Sequence, residues 1–329
     1  MASFLSFVIK NLVHKFIIFF IVITLIFLIP RLAPGTPIDY LVENPRVPPE
    51  VRIELIKKFG LDKPIFPDQY INFLYNFFVR LDLGYSFTYQ EPVLKVVSER
   101  LVWTLILMGS AIVISIPMGI LIGLLLAWRR GSSTGYILTS LILLARSFPV
   151  FWIGMVLLLI FSFYLKIAPS GGALTPGAVY TNIFSYLEDV LRHLALPLIT
   201  ISSVFIPRYV ILMRNASLNV LGEDFVWVAK AVGLSSRHIL ISYVGKNAIL
   251  PIMTLISIDI GFIAGGAVVT ETVFSYPGVG RLIYEAVLNR DYPLILGAFT
   301  IIVGVTLIAL TIAEFLYAII DPRVRRGET

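Results

Sequence analysis

Hydrophobic residues are gathered into six long stretches along this chain, separated by shorter segments in which polar and charged residues concentrate. Each stretch is about as long as the roughly 20 apolar residues that an α-helix needs to cross a ~30 Å hydrocarbon core. The stretches are residues 9–31, 101–128, 136–165, 194–213, 249–274 and 292–320. The pattern predicts an all-α polytopic membrane protein with six transmembrane helices.

The first stretch has two interpretations, because Lys10 and Lys15 precede an apolar run in the manner of a secretory signal peptide. The residues that follow it, Arg31-Leu32-Ala33-Pro34-Gly35, lack the small-residue pattern of a cleavage site. We therefore expect the stretch to be retained as a membrane span.

Charge distribution predicts the orientation of these spans. The chain is 58% hydrophobic and 14% charged, which is typical of a membrane protein. With the N-terminus inside, twelve basic residues lie in the cytoplasmic segments and four in the two short external loops. The positive-inside rule then places both termini in the cytoplasm. The net charge of +6 is a consequence of this topology, and we expect no nucleic-acid partner.

The spans divide the chain into four parts. Residues 1–31 form the first transmembrane helix, and residues 32–100 form an extracytoplasmic helical segment. Residues 101–320 form a five-helix core with a cytoplasmic loop at about 214–248, and residues 321–329 form a cytoplasmic tail. Proline and glycine predict a helix over 50–60, and another over 93–101. Apolar spacing over 68–81 predicts an amphipathic helix, either packed on the membrane or bundle or contacting an external protein.

Catalytic motifs are not evident in the sequence. Gly245-Lys246 is followed by Asn247, so no phosphate-binding loop ends in Lys-Ser or Lys-Thr. The three histidines are widely separated, which argues against a zinc site, and no serine sits in a Gly-x-Ser-x-Gly turn. The absence of cysteine excludes disulfides and thiol chemistry. We expect a protein that is not an enzyme and has no metal or cofactor of its own.

Ionisable residues within the spans are the next candidates for function, because each is costly in hydrocarbon. Asp259 lies midway through the fifth span and Glu314 within the sixth, while Arg146 and Arg208 lie near the inner ends of the third and fourth. Such residues either pair within the bundle or line a translocation pathway, and Glu314 could also lie close enough to the inner interface to be hydrated. A self-contained secondary carrier needs carboxylates of this kind near the midplane.

The cytoplasmic loop contains a helix–glycine–helix pattern at residues 223–248. Acidic Glu223 and Asp224 suit a helix N-terminus, and Gly233 suits a left-handed C-terminal cap. Ser235 then caps a second helix. Val226, Ala229 and Ala231 form a small-residue face beside the large Trp227, which favours insertion into a groove of another protein. The alternative is an interfacial helix that covers the underside of the bundle.

This loop resembles that of the permease subunits of binding-protein-dependent ABC importers, in the dipeptide, oligopeptide and nickel subfamily. The subfamily's loop reads acidic-aromatic-Val, then Ala-x-Ala-x-Gly-Leu, then Asn-Ala-x-x-Pro. Here Asp224-Phe225-Val226, Ala229-Lys230-Ala231-Val232-Gly233-Leu234 and Asn247-Ala248-Ile249-Leu250-Pro251 follow that form. The wider permease family has Glu-Ala-Ala-x-x-x-Gly, and Trp227 and Val228 stand in place of its glutamate and first alanine.

The resemblance extends over more than 250 residues. Fragments with the subfamily's pattern include Asp82-Leu83-Gly84-Tyr85-Ser86, Phe148-Pro149-Val150-Phe151-Trp152, Glu271-Thr272-Val273-Phe274-Ser275-Tyr276-Pro277-Gly278 and Asn289-Arg290-Asp291-Tyr292-Pro293. It implies one of two homologous permease subunits in the cell membrane of a bacterium or archaeon. Two separate ATP-binding subunits hold ATP and Mg, and an external solute-binding protein delivers the cargo.

The resemblance also implies roles for particular residues. Glu223, Asp224, Val226, Trp227, Ala229, Lys230, Ala231, Gly233 and Leu234 are expected to couple the bundle to the ATPase. Asp259, Gly265 and Gly266 are candidates for the translocation pathway, and Glu271, Arg281, Arg290 and Asp291 for an external rim that meets the binding protein. Gly265-Gly266 and Pro117 with Gly119 are bend points or close-packing sites. The expected cargo is a peptide, with oligosaccharides and nickel complexes as alternatives within the subfamily.

Overall fold

The computed structural model describes residues 2–32 and 62–320. The helix predicted over 50–60 and the C-terminal tail lie outside the described residues. Within them the chain is helical apart from its connections, and one isolated antiparallel bridge joins Tyr85 and Pro92. The helices are α1 (Ala2–Leu32), α2 (Tyr70–Tyr75), α3 (Val93–Trp128), α4 (Ser133–Ser147), α5 (Val150–Leu157), α6 (Ile183–Val220), α7 (Asp224–Ala231), α8 (Ser236–His238), α9 (Lys246–Ala248), α10 (Leu250–Phe262), α11 (Val268–Val273), α12 (Val279–Leu288) and α13 (Tyr292–Ile320).

Short segments of wider or tighter helix extend several of these elements. Ile65–Gln69 and Asn76–Arg80 flank α2, Leu158–Tyr164 continues α5, Ile239–Gly245 joins α8 to α9, and Ile263–Gly265 follows α10. Four helices, α1, α3, α6 and α13, are long and apolar enough to cross a membrane. Two bent pairs bring the number to six if each pair is one span. The predicted all-α polytopic architecture is confirmed.

The predicted third span is not one straight helix. The axis turns by 93° between α4 and the 150–164 helix. Pro149 lies at the turn, and a proline disfavours the helical conformation of the residue before it. Phe148 accordingly has extended backbone angles (φ −81°, ψ 137°). The apolar run from 136 to 165 gave no sign of the break beyond this single proline.

The predicted fifth span is also divided. The helical chain begins at Ser236 and bends by 54° before α10, where Pro251 lies in the first turn. Its other end is Gly265, after which Gly266 takes φ +70°, a left-handed value that favours glycine. Residues 268–273 then form the separate helix α11. The span predicted over 249–274 therefore begins with α10, but its helix ends at Gly265 and does not continue to 274.

Helices α3 and α6 form the centre of the bundle and approach closely through small residues. A Cβ on Gly119 would clash with the Cβ of Tyr209, and one on Gly123 would lie 2.7 Å from the Cβ of Met213. The two glycines are one helical turn apart and so lie on the same face of α3. Of the two roles predicted for Gly119, close packing is the observed one, since α3 continues unbroken past Pro117.

Helix α1 is held to α13 by polar groups at one end. The Lys15 ammonium lies 2.6 Å from the Glu314 carboxylate, which also accepts a hydrogen bond from the Asn11 amide. Lys15 is buried, whereas the Glu314 side chain is 42% exposed. Glu314 therefore pairs with another helix of the bundle, as one of the interpretations of an ionisable residue in a span predicts.

The segment 65–80 packs along α1, as one of the placements predicted for its aromatic residues requires. The Tyr70 ring lies 5.2 Å from the Phe27 ring, and the Phe77 ring lies 5.9 Å from that of Phe19. Because the later residue contacts the earlier one in α1, the segment runs antiparallel to that helix. The Tyr70 and Thr24 hydroxyls share a hydrogen bond of 2.6 Å at this contact.

The α3–α6 packing gives a test by substitution. Gly119→Ala should lower the melting temperature of the purified protein, because overpacking costs about 1–3 kcal/mol. Gly109→Ala, in the same helix, is the matched control, since a Cβ there meets nothing within 4 Å. That control should be neutral or stabilising, because alanine favours helix by up to about 1 kcal/mol over glycine. Equal melting temperatures for the two variants would contradict the close packing.

Candidate docking surface and buried polar sites

The loop after α6 folds as the helix–glycine–helix unit that the sequence predicts. Glu223 precedes α7 with an extended backbone, and Asp224 lies in its first turn. Glu223 makes no side-chain capping hydrogen bond, so the two acidic residues act through their charge near the positive end of the helix dipole. Both side chains are exposed.

Both caps that the sequence predicts in this loop are present. Gly233 has φ +84°, and the Leu234 amide donates to the Ala229 carbonyl at 3.2 Å, which closes the end of α7. A Cβ on Gly233 would meet nothing within 4 Å, so backbone conformation rather than crowding requires glycine there. The Ser235 hydroxyl accepts a long hydrogen bond from the His238 amide at 3.4 Å.

One face of α7 is turned toward the bundle. Val226 and Ala229 are buried and pack in a cluster with Leu124 and Ala127 of α3 and with Ile239. Their spacing of three residues places them on one side of the helix. The prediction that they present a small-residue face to a partner is therefore wrong for these two side chains. They fix α7 to the bundle instead, and Leu234 packs against the same cluster.

The opposite face of α7 is exposed and mostly apolar. Trp227 is 63% and Val228 61% exposed, and Ala231 is exposed beside them. The Lys230 ammonium lies 5.3 Å from the Trp227 ring and 5.7 Å from the ring of Trp128, at the end of α3. These cation–π contacts position Trp227. We call Trp227, Val228, Lys230 and Ala231 the docking face, because a contiguous exposed apolar patch marks an interaction site.

Asp259 lies inside the bundle and is fully engaged. Its carboxylate accepts a hydrogen bond from the Arg208 guanidinium at 2.6 Å and another from the Tyr209 hydroxyl at 2.6 Å. The carboxylate is buried, whereas the Arg208 side chain is 39% exposed. Of the pair, it is thus Arg208 rather than Asp259 that has accessible surface.

The residues around the helix break at Gly266 enclose a second buried carboxylate, that of Glu271. The Thr104 hydroxyl and the Arg281 amide each donate to it at 2.9 Å. A Cβ on Gly278 would clash with this carboxyl group, and one on Gly266 would lie 2.8 Å from its Oε1. The glycines are therefore needed to enclose the side chain. The expected role of Glu271 on an external rim is wrong for this conformation, because the residue has no exposed surface.

Asp291 is buried as well, so it too is excluded from an exposed rim in this conformation. Its carboxylate accepts hydrogen bonds from the Ser86 hydroxyl at 2.5 Å, the Thr88 amide and the Leu294 amide, and it thereby caps α13. Arg290 is exposed. The remaining rim candidate, Arg281, is partly exposed and forms an ion pair with Glu285.

Arg281 belongs to a small network with Glu285 and Tyr89. Its Nε donates to the Glu285 carboxylate at 2.7 Å, and the Tyr89 hydroxyl donates to the same carboxylate at 2.6 Å. Burial and this hydrogen bond raise the pKa of Tyr89 to about 12. Tyr89 therefore stays a neutral donor at physiological pH, and the network joins α12 to the segment before α3.

Comparison with known proteins identifies the family. The sequence model of the family described as "Binding-protein-dependent transport system inner membrane component" matches residues 119–326. The family model for the N-terminal part of such membrane components matches residues 4–108. The chain belongs to this family. It is a permease subunit of a binding-protein-dependent ABC importer, a multi-pass protein of the inner membrane whose import system includes partner subunits.

Named relatives place the permease in the peptide subfamily. It is 31% identical to the di/tripeptide transport system permease of Pseudomonas aeruginosa over 334 residues, covering 98% of this chain and 99% of the relative. It is 31% identical to the dipeptide transport system permease of Escherichia coli K12, covering 93% and 95%. It is 32% identical to the oligopeptide transport system permease of Bacillus subtilis, covering 91% and 92%.

Two residues of the permease were not found by sequence reasoning. Trp128 contacts Lys230 across about a hundred residues of chain, and Tyr243 stacks its ring 6.5 Å from that of Phe225. No periodicity connects such distant positions. Trp128 could have been noticed only as an aromatic residue at the end of a span, beside Arg129 and Arg130. Within the described ranges, no group of three or more acidic, histidine or cysteine side chains could hold a metal.

The left-handed cap at Gly233 can be tested by substitution. Gly233→Ala should loosen the end of α7, because a left-handed alanine costs about 1 kcal/mol, a factor of about five in the opening equilibrium. Hydrogen–deuterium exchange at residues 230–236 measures this change. Gly233→Asn is the control, since asparagine tolerates the left-handed conformation and should exchange more slowly than the alanine variant. Identical exchange in all three proteins would show that the cap does not stabilise the loop.

Proposed function

We propose that this permease forms half of a translocation pathway for a peptide-like solute and couples uptake to ATP hydrolysis by separate subunits. The observation that carries the proposal is the docking face of α7. Trp227, Val228 and Ala231 point away from the bundle, while Val226 and Ala229 fix the helix to it. An apolar helix face presented on a rigid support suits a groove in a partner protein.

The packing of α7 suggests how movement passes into the bundle. Val226 and Ala229 belong to a buried cluster that also contains Ile239, Leu124 and Ala127 of α3, and Tyr209 and Met213 of α6. Because protein interiors are close-packed and compress little, a displacement of α7 is passed on to both helices. ATP binding would close the ATPase pair and move α7 as a lever. The bundle would then alternate between inward-open and outward-open states by a rigid-body motion.

The proposed assembly contains a second homologous permease, two ATP-binding subunits and an external solute-binding protein. The ATP-binding subunits hold ATP and Mg, so we expect this chain to have no cofactor and no catalytic activity of its own. The docking face then lies in the cytoplasm, which places both termini on that side, as the charge distribution predicts.

Peptide is the cargo that we propose, because relatives that match over more than nine tenths of both chains are named for dipeptide, di/tripeptide and oligopeptide transport. Nothing in these names favours an oligosaccharide or a nickel complex. A self-contained carrier is also less consistent with the fold, since both candidate carboxylates, Asp259 and Glu314, are engaged in ion pairs with Arg208 and Lys15.

Substitutions on the docking face test the coupling role. Trp227→Glu and Ala231→Glu should each abolish co-purification with the ATP-binding subunits, because a charge at the centre of an apolar contact is left desolvated and unpaired. The permease should still insert in the membrane, since neither side chain is buried. Ala229 is unsuitable for this test, because its side chain is buried in the cluster that fixes α7 to the bundle.

Val179→Glu is the matched control for these substitutions. Val179 is 91% exposed in the loop between α5 and α6, away from α7. The variant should keep wild-type co-purification and uptake. Normal co-purification of both docking-face variants would contradict the proposed coupling surface.

Cargo is tested with the complete importer and its binding protein reconstituted in vesicles. Peptides should stimulate ATP hydrolysis and accumulate inside only when ATP is supplied, whereas oligosaccharides should do neither. Uptake that persists without ATP would instead favour the self-contained carrier. Stimulation by oligosaccharides alone would keep the importer and replace its cargo.

A further inference from the structure

Arg208 lies on a face of the bundle that no other part of the described chain covers. On α6, Val204 and Asn215 are exposed one turn before and two turns after Arg208. On the neighbouring helix α10, Thr254, Ile258 and Phe262 recur at similar spacing and are exposed too. The ion pair between Arg208 and Asp259 joins the two helices. Because this ion pair brings the exposed residues of the two helices together, we call them the α6–α10 face.

The Arg208 side chain starts near the middle of the membrane. Its neighbour Tyr209 contacts Gly119, and α3 ends at Trp128, nine residues later. At about 1.5 Å per residue this separation is about 13 Å, close to half of a ~30 Å hydrocarbon core. Asp259 is likewise nine residues beyond Leu250, where α10 begins. Both helices therefore place the ion pair at about the same depth.

A guanidinium at this depth is poorly suited to contact with lipid. Placing an arginine at the centre of a membrane helix is energetically costly, so such residues face a partner or a water-filled cavity. Asp259 offsets part of this cost but is itself buried, and it leaves 39% of the Arg208 side chain accessible. The exposed polar Thr254 and Asn215 on the same face also favour water over lipid.

Only part of the hydrogen-bonding capacity of the Arg208 guanidinium is taken up by Asp259. It has five N–H donors, and within the described parts of the chain its hydrogen bond is the one from Nη1 to Asp259. Tyr209 donates to the other carboxylate oxygen, so Asp259 is fixed and in turn fixes the arginine. A guanidinium held at one edge presents its other donors in a planar fork, which matches a carboxylate.

We propose that Arg208 binds a carboxylate of the cargo as it crosses the membrane, with Asp259 and Tyr209 as positioning residues. The proposal rests on the proposed function, since a peptide carries such a group at its C-terminus. Pairing with Asp259 also weakens the attraction of Arg208 for an anion. A transport pathway requires this, because a site must bind well enough to admit its cargo and weakly enough to release it.

The first test uses the absence of cysteine from this chain. Single-cysteine variants Val204→Cys and Ile258→Cys are placed in the assembled importer, with partner subunits free of reactive thiols. They are treated with anionic and cationic methanethiosulfonate reagents of matched size. Leu121→Cys is the control, because Leu121 is 61% exposed at the same depth but lies on the side of α3 away from α6.

Both test cysteines should react, and the control should not. Val204→Cys should prefer the anionic reagent, and adding Arg208→Gln should reduce that preference about fivefold or more, since a nearby unit charge is removed. Unreactive test cysteines would overturn the proposal, because the α6–α10 face would then not line a water-filled path. A reagent preference that is unchanged by Arg208→Gln would overturn it as well.

The second test compares the uptake of one peptide as the free acid with the uptake of its C-terminal amide. Each variant's rate is divided by the wild-type rate for the same cargo, so that selection by the binding protein cancels. Arg208→Gln should reduce acid uptake about tenfold more than amide uptake, and Arg208→Lys should restore part of the difference. Equal losses for both cargoes would make the ion pair purely structural and overturn the proposal. Absence of any peptide uptake by the wild-type importer would refute the proposed function instead, while the cysteine test would still report on the face.

Discussion

The close packing of α3 against α6 is the contact on which the other features of this permease depend. Gly119 and Gly123 remove two side chains from the interface and allow Tyr209 and Met213 to lie against the α3 backbone. Tyr209 is thereby placed to donate to Asp259, and Met213 joins the cluster that receives α7. One helix pair thus supports both the mid-membrane ion pair and the docking face.

Polar groups in this bundle are used mainly to join elements that are distant in the chain. Glu314 holds α1, Glu271 joins α11 to α3 through Thr104, and Asp291 ties the segment before α3 to α13. Glu271 and Asp291 are buried, and such hydrogen-bonded carboxylates are costly to disrupt, because removing a partner leaves an unpaired polar group in a low-dielectric surrounding. Arg208 differs from the other ionised groups in having donors that remain accessible at mid-depth.

Helix α7 shows how one short sequence serves two surfaces. One side of this eight-residue helix packs on the bundle, and the opposite side faces outward. The same helix is therefore firmly attached and still free to bind a partner. Lys230 strengthens the attachment by lying between Trp227 and Trp128. A lever must be fixed at one side to transmit force from the other, and this division meets that requirement.

Local sequence signals determined the helical class, the membrane location, the caps of the loop and the family. Hydrophobic length, the left-handed glycine at 233 and ordered motifs each act over a few residues, and so they can be read along the chain. Tertiary structure alone decided which side of α7 faces outward and that Glu271 and Asp291 are buried. Those outcomes depend on contacts between residues tens to hundreds of positions apart, such as Ser86 with Asp291, and no local pattern encodes them.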